Sequence, residues 1–119
     1  MYLECVRSKE LKFLEDHEYN YLTTLINRID LEQLYPGFLE DYMDDIECCK
    51  VAWLIQNHIE ENKIFEMNVD GIKKPIIVDN NVGKLPENCQ ALSMESLMFL
   101  GEVTQFLENS RKGIEIIDN

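Results

Sequence analysis

One stretch without glycine or proline dominates the fold prediction: residues 38–62, which read FLEDYMDDIECCKVAWLIQNHIEEN. Apolar residues recur through it with the three-and-four spacing of a helical face. They are Leu39, Tyr42, Met43, Ile46, Cys49, Trp53 and Ile59, and Val51, Leu54 and Ile55 widen the apolar surface. The stretch therefore predicts a central, mostly buried helix over 38–62 whose first half is acidic on the outside.

The N-terminal part of the chain also has helical spacing. Apolar residues at intervals of three and four predict a helix over 8–29, capped by Ser8, with or without an interruption near His17. A capping-box pattern then predicts a short helix over 31–35, which Pro36-Gly37 ends.

The C-terminal part contains another capped helix. Residues 79–91 are rich in asparagine, glycine and proline and predict a loop. Ser93 is an N-cap for a helix over 94–112, and Gly113 is its stop. The tail, 114–117, either adds a short strand or simply packs onto the rest.

Residues 64–78 predict a β-hairpin. Residues 64–69 alternate in polarity, Asp70-Gly71 is a favoured dipeptide for a two-residue turn, and 72–78 resume with β-branched residues. Pro75 requires an edge position, because it has no N–H to donate. In the alternative interpretation the central helix continues to about Met67, and 72–78 form an extended connection.

These elements predict a mainly α fold, a compact helical domain of about four helices. The 119 residues match one globular domain, 1–119, and a hydrophobic content of 45% excludes disorder. No apolar run is long enough to cross a membrane, and the N-terminus carries no secretion signal, so we expect a cytoplasmic protein. The four cysteines lack the spacing of a disulfide framework and are expected to be reduced.

Charge limits the choice of function more than any motif does. The net charge is −12, and residues 1–62 hold fourteen acids against five bases, whereas residues 63–119 hold nine against six. This distribution disfavours direct nucleic-acid binding through phosphates, and it disfavours an anionic membrane surface. It favours a cationic protein as the partner.

The acidic residues are densest around Glu40–Glu47, and aromatic residues lie among them. Aromatic rings beside carboxylates suit a surface that receives lysine and arginine side chains. On a helix over 38–62 the carboxylates of this block form two rows. The predicted partner-binding residues are Glu32, Tyr35, Glu40, Asp41, Tyr42, Asp44, Asp45 and Glu47. The alternative is a helix start that only keeps the protein soluble, since the helix dipole favours anions there.

Catalytic and metal sites have little support in the sequence. The glycines are isolated, so no loop resembles a phosphate-binding one, and no nucleophile motif is present. His58 and Glu61 could share a helical face, but they are half of a metal site at most. We therefore expect a non-enzymatic protein without catalytic residues, metal or cofactor.

In size, charge and the acidic run at Glu40–Glu47, the chain resembles the small acidic immunity proteins that neutralise bacterial toxins, including those of contact-dependent growth inhibition systems. The resemblance implies a protein that covers the basic active-site cleft of a toxin nuclease domain. Two other functions stay open: a phage-type DNA mimic that inhibits a DNA-binding protein, and a small regulatory or metal-binding helical protein that uses His58 and Glu61.

Overall fold

The structure, a computed structural model, describes residues 1–29, 42–78 and 87–118. In these ranges the chain forms three helices and two antiparallel sheets. The helices are α1 (Asp16–Ile29), α2 (Asp45–Glu60) and α3 (Met94–Glu108). The strands are β1 (Tyr2–Cys5), β2 (Leu11–Phe13), β3 (Tyr42–Met43), β4 (Ile64–Val69), β5 (Ile72–Ile77), β6 (Cys89–Ala91) and β7 (Ile114–Ile117). Of the described residues 46% are helical and 29% are in strands, so the prediction of a mainly α fold is wrong and the fold is α/β.

The N-terminal part accounts for much of this difference. The predicted helix over 8–29 is wrong before Asp16, because Leu11–Phe13 form β2. Ser8 lies in the turn between β1 and β2, where its Oγ accepts the Glu10 N–H at 3.3 Å, and it caps no helix. Leucines three residues apart in the sequence satisfied the helical spacing by coincidence.

The first sheet, sheet A, joins the two ends of the chain in the order β2-β1-β7-β3. Cys5 lies opposite Ile114, and Tyr2 lies opposite Ile117. Leu3 and Cys5 are buried while their neighbours are less so, as expected for a strand with one face on the core. Of the two predictions for the tail, the short strand is confirmed.

The second sheet, sheet B, has the order β5-β4-β6 and contains the predicted hairpin. The turn residues Asp70 and Gly71 have φ angles of 53° and 80°, as a type I′ turn requires. Pro75 lies in β5, which is an edge strand. The hairpin is confirmed, and the alternative of a longer central helix is wrong because α2 ends at Glu60.

The central and last helices are both shorter than predicted. The helix over 38–62 is wrong at its start, since Tyr42 and Met43 form β3 and pair with β7. The helix over 94–112 ends at Glu108, but its Ser93 N-cap is confirmed by the Ser96 N–H that its side chain accepts. The predicted helix 31–35 lies outside the described residues, as does most of the predicted loop 79–91, whose end forms β6.

One hydrophobic core draws side chains from all three helices and from both sheets. Sheet A contributes Leu3, Met43 and Ile114, sheet B contributes Ile64, and the helices contribute Leu22, Leu25, Val51, Ile55, Leu100, Val103 and Leu107. The described helices include none that is both long and apolar enough to cross a membrane.

The start of α2 and the start of α3 lie in different parts of the molecule. Met43, just before α2, pairs with Ile114, just after α3, so the start of α2 lies beside the end of α3. The start of α3 lies beside sheet B, because the Ser93 N–H donates to the Glu66 carboxylate of β4. A ligand at the start of α2 and a ligand at the start of α3 therefore occupy different parts of the surface.

Candidate functional site

The predicted partner-binding residues divide into two groups. Glu32, Tyr35, Glu40 and Asp41 lie outside the described residues. The other four lie around the start of α2: Tyr42, Asp44, Asp45 and Glu47. The two carboxylate rows were predicted on a continuous helix over 38–62. The described part of this stretch is not one helix, because the backbone is a strand at 42–43 and becomes helical only at Asp45.

Asp44 has a structural role at this helix start. It is the N-cap of α2, and its Oδ1 accepts the Glu47 N–H at 2.7 Å. Such a cap satisfies one of the N–H groups that a helix leaves without an intrahelical partner. Part of the acidic block therefore stabilises the helix, which supports the alternative interpretation for this residue.

Tyr42 lies at the edge of sheet A with 51% of its surface exposed. Its hydroxyl donates to the Lys112 carbonyl at 3.1 Å, which fixes the ring on the surface. Its cross-strand neighbour is the exposed Glu115, so the two side chains lie on the same face of the sheet. Desolvation, together with the charges of Asp44 and Asp45, raises the pKa of the Tyr42 phenol, and the ring therefore stays neutral beside several carboxylates.

Ile46 and Trp53 are exposed on the outer side of α2. Their exposed fractions are 62% and 61%, although both are large and apolar. The opposite side of the helix, with Cys48, Val51 and Ile55, is fully buried. The sequence pattern that assigned Ile46, Cys49 and Trp53 to a core face is therefore wrong, and α2 has a second apolar stripe that faces outward.

Charged residues flank this stripe. At about 100° per residue, Asp45 and Glu47 lie on either side of Ile46. Lys50 also lies on the exposed side, one turn before Trp53 and one turn after Ile46. We define the Tyr42–Trp53 surface as Tyr42, Asp45, Ile46, Glu47, Lys50, Trp53 and Glu115. It combines three large exposed apolar side chains with a local excess of carboxylates.

Sequence reasoning missed four members of this surface, which are Ile46, Lys50, Trp53 and Glu115. Ile46 and Trp53 were expected in the core. Their spacing indicates that they share one face of the helix, but it does not indicate which face is buried. Glu115 is far from α2 in sequence, and only the pairing of β3 with β7 brings it next to Tyr42.

The residues considered for a metal site make other contacts. His58 Nδ1 lies 2.8 Å from the Leu54 carbonyl oxygen, and Glu61 forms an ion pair with Lys63. The Lys63 ammonium, by hydrogen bond and by charge, lowers the pKa of Glu61. Across the part of the chain that the structure describes, no three histidine, cysteine, aspartate or glutamate side chains gather as metal ligands.

Comparisons with protein-family models, with curated proteins and with solved structures found no match to this chain.

Proposed function

We propose that this protein is a non-catalytic acidic binding protein that holds a cationic protein through the Tyr42–Trp53 surface and acts in the cytoplasm. The observation that carries the proposal is the exposure of Ile46 and Trp53 on one side of α2. Single exposed apolar residues are ordinary, but neighbouring large ones with a polar rim are typical of interaction sites.

The chemistry of the surface matches the two requirements of fast and durable binding. Tryptophan and tyrosine are enriched among the residues that carry binding free energy, because they offer a large contact area at low entropic cost. The carboxylates of Asp45, Glu47 and Glu115, in a chain with a net charge of −12, attract a cationic partner over long range. We therefore assign the apolar stripe to slow dissociation and the carboxylates to fast association.

We further propose that the partner is the nuclease domain of a toxin and that the chain is its immunity protein. The support is the charge and the resemblance to acidic immunity proteins, since a nuclease cleft that binds phosphates is basic. A DNA mimic needs carboxylates spaced along a row, whereas Asp45 and Glu47 lie on two sides of an apolar side chain. The aromatic, mixed surface favours an inhibitor over a mimic.

The first experiment uses the lysine on the surface to test the sign of the partner's charge. The partner is captured from the source cell on the immobilised chain, and its association rate is measured at low and high salt. Lys50→Glu makes the surface more negative, so we expect association with a cationic partner to become about two- to fivefold faster at low salt. Lys74→Glu, an exposed change in sheet B, alters the net charge equally and is the matched control.

A slower association of Lys50→Glu than of Lys74→Glu would show that the partner's contact region is not cationic and would reject the proposal. Equal rates for the two variants would place the contact elsewhere. For the toxin proposal, the captured protein is assayed for cleavage of plasmid DNA and of RNA. Cleavage that stops when the chain is added supports an immunity function. Absence of nuclease activity in the captured protein would reject the proposal that the partner is a nuclease domain.

The second experiment tests the apolar anchor. Trp53→Ala removes the largest exposed side chain of the surface, and we expect it to speed dissociation about thirtyfold or more. Met98→Ala is the control, because Met98 is 60% exposed on α3 and is not part of the surface. Equal dissociation rates for the two variants would exclude Trp53 as an anchor.

A further inference from the structure

A cavity of about 340 Å³ lies at the other end of the molecule, between the start of α1, the hairpin of sheet B and the start of α3. Small-molecule sites in proteins have volumes of about 300–1,000 Å³ and combine apolar walls with a few polar groups. Phe99 and Ile72 provide apolar wall here, and Tyr21 and Ser96 provide polar groups. The cavity therefore has the size and composition of a small-ligand site.

A buried carboxylate stands directly behind this wall. Glu66 is fully buried, and its two oxygens accept the Ser93 N–H and the Ser96 hydroxyl, both at 2.7 Å. No residue that the structure describes forms an ion pair with Glu66. Burial of an unpaired carboxylate is unfavourable, so a positive charge that enters the cavity is attracted to this wall.

Tyr21 adds a second unmet requirement in the same wall. It is only 8% exposed and packs edge-on against Phe99, with ring centroids 6.3 Å apart. Its hydroxyl is buried and has no hydrogen-bond partner among the described residues. Burial and the nearby charge of Glu66 raise the pKa of this phenol, so the hydroxyl keeps its proton, and Glu66 and Ser96 are its polar neighbours. A buried hydroxyl without a partner is destabilising unless something supplies one.

Charges at the mouth of the cavity have the same overall sign. Glu18 and Glu95 are part of the lining, and Lys73 and His17 are the cationic or potentially cationic residues there. The Lys73 ammonium is 3.9 Å from the Glu95 carboxylate and 3.3 Å from the Ser93 hydroxyl. His17 lies 3.2 Å from the Glu15 carboxylate. With Glu66 included, carboxylates outnumber lysines around the cavity.

We propose that this cavity binds a small organic ammonium ligand with an apolar body of about the size of one aromatic ring. The apolar body packs against Phe99 and Ile72, and the ammonium group donates to the Tyr21 oxygen while its charge is offset by Glu66 and Glu95. The site is separate from the Tyr42–Trp53 surface, because it lies at the start of α3 and that surface lies beside the end of α3.

The test compares three probes of the same shape: phenethylammonium, phenethyl alcohol and phenylacetate. Each is titrated into the ¹⁵N-labelled protein at millimolar concentrations, and backbone amide and Trp53 indole signals are followed by NMR. We expect saturable shifts at Tyr21, Ser96 and Phe99 with phenethylammonium, weaker binding of the alcohol and the weakest binding of phenylacetate. The Trp53 indole is expected to stay unshifted, since it lies outside the cavity.

Variants separate the contributions of the hydroxyl and of the charge. Tyr21→Phe is expected to weaken phenethylammonium binding about three- to tenfold and to leave the thermal unfolding midpoint equal or higher, because only an unpartnered group is removed. Glu95→Gln is expected to weaken the binding of phenethylammonium about two- to fivefold and to leave the binding of phenethyl alcohol unchanged. Glu108→Gln, on the same helix but outside this cavity, is the matched control.

Three results would overturn the proposal. One is phenylacetate binding as tightly as phenethylammonium, which would mean that Lys73 and not the carboxylates sets the preference. Another is a titration without saturable shifts at the cavity residues. The third is equal binding by Tyr21→Phe, Glu95→Gln and Glu108→Gln, which would place the probe at another part of the surface.

Discussion

Large apolar residues lie on both sides of α2, but only those on one side are buried. On the inner side Cys48, Val51 and Ile55 are fully buried, whereas on the outer side Ile46 and Trp53 are more than half exposed. A core needs only one stripe of a helix, so the second stripe is left for something other than folding. The comparison separates residues that stabilise the protein from residues that are available to a partner.

The reason lies in what packs against α2. Its inner side faces α3 and sheet A in a core that includes Leu100, Val103 and Ile114. The short strand β3 sets the rotation of the helix, since Met43 is buried against Ile114 and Asp44 caps the first turn. Once the start of the helix is fixed in this way, its period determines that Ile46 and Trp53 point outward.

The strongest test of the comparison replaces one large residue on each side. Ile55→Ala leaves a cavity in the core and is expected to lower the free energy of unfolding by about 2–5 kcal/mol. Trp53→Ala is expected to change it by less than about 0.5 kcal/mol, because an exposed side chain away from special features contributes little to stability. Urea denaturation of the two variants, followed by circular dichroism, measures both values.

A loss of stability in Trp53→Ala comparable to that in Ile55→Ala would mean that the outer stripe is covered within the chain, and the comparison would fail. Val51→Ala provides a second inner variant with a smaller volume change. Its expected loss is below that of Ile55→Ala, which checks that the inner effect scales with the volume removed.

The next test concerns the contact that sets the rotation of α2. Gly113 has φ of +95°, and a Cβ at this position would lie 2.0 Å from the Met43 carbonyl oxygen. Gly113→Ala is therefore expected to lower the free energy of unfolding by about 1–3 kcal/mol or more, since both the backbone and its neighbour must shift. Gly101 lies inside α3, and an added Cβ there has nothing within 4 Å. Gly101→Ala is therefore expected to raise the free energy of unfolding by about 0.5–1 kcal/mol.

Chemical denaturation gives the two free energies, and amide exchange at Tyr42 and Asp45 reports the start of α2 directly. If Gly113→Ala were as stable as Gly101→Ala, the close approach of β7 to Met43 would not hold the helix in place. The exposed position of Ile46 would then need another explanation.

The confirmed parts of the fold are those with local signals. The turn at Asp70-Gly71 and the Ser93 cap each depend on residues within a few positions, and both were predictable. Sheet A was missed because its pairing joins Cys5 to Ile114, from opposite ends of the chain, and no local pattern records such a contact. In addition, Leu11 and Leu14 match the helical period without being in a helix, so the spacing alone overestimated α1.

The candidate surface was predictable only in part. Composition and the acidic run identified Tyr42, Asp45 and Glu47 near the start of the central helix, and the structure brings them into one area. The sequence could not separate the two stripes of α2, because Ile46 and Trp53 are as apolar as Val51 and Ile55. Tertiary contacts determine which of the two stripes is buried, and the sequence of α2 does not contain them.

A smaller effect is expected from the residues that start α2. Asp44→Ala removes the cap and is expected to lower the free energy of unfolding by about 0.5–2 kcal/mol, while Asp44→Ser, which keeps a side-chain acceptor, restores most of it. Asp45→Asn is expected to leave stability nearly unchanged and to slow association with a cationic partner at low salt. These variants therefore divide the acidic block into a stabilising residue and a partner-facing one.

Thermal and urea unfolding of the three variants, together with association rates over a salt series, distinguish the two roles. Equal stability of Asp44→Ala and Asp45→Asn would show that the cap contributes nothing measurable. An association rate for Asp45→Asn that matches the unmodified protein at every salt concentration would remove Asp45 from the surface.

The neighbouring cysteines allow a test that leaves the fold intact near neutral pH. Cys49 is exposed and Cys48 is buried, so iodoacetamide is expected to label Cys49 of the native protein and to leave Cys48 unlabelled, as peptide mass spectrometry can measure. Burial, followed by the charges of nearby groups, raises the pKa of the Cys48 thiol from 9.0 to about 12.

A folded-state pKa above the unfolded value means that the stabilisation contributed by Cys48 is complete below about pH 9 and is lost as the pH rises toward 12. Urea unfolding of the protein and of Cys48→Ala over this range is expected to show a smaller alkaline loss in the variant. Since Tyr21 also has a raised pKa, some alkaline loss remains in Cys48→Ala. Labelling of Cys48 at the same rate as Cys49 in the native protein would show that the inner side of α2 opens to solvent, and the difference between its two sides would then be one of degree.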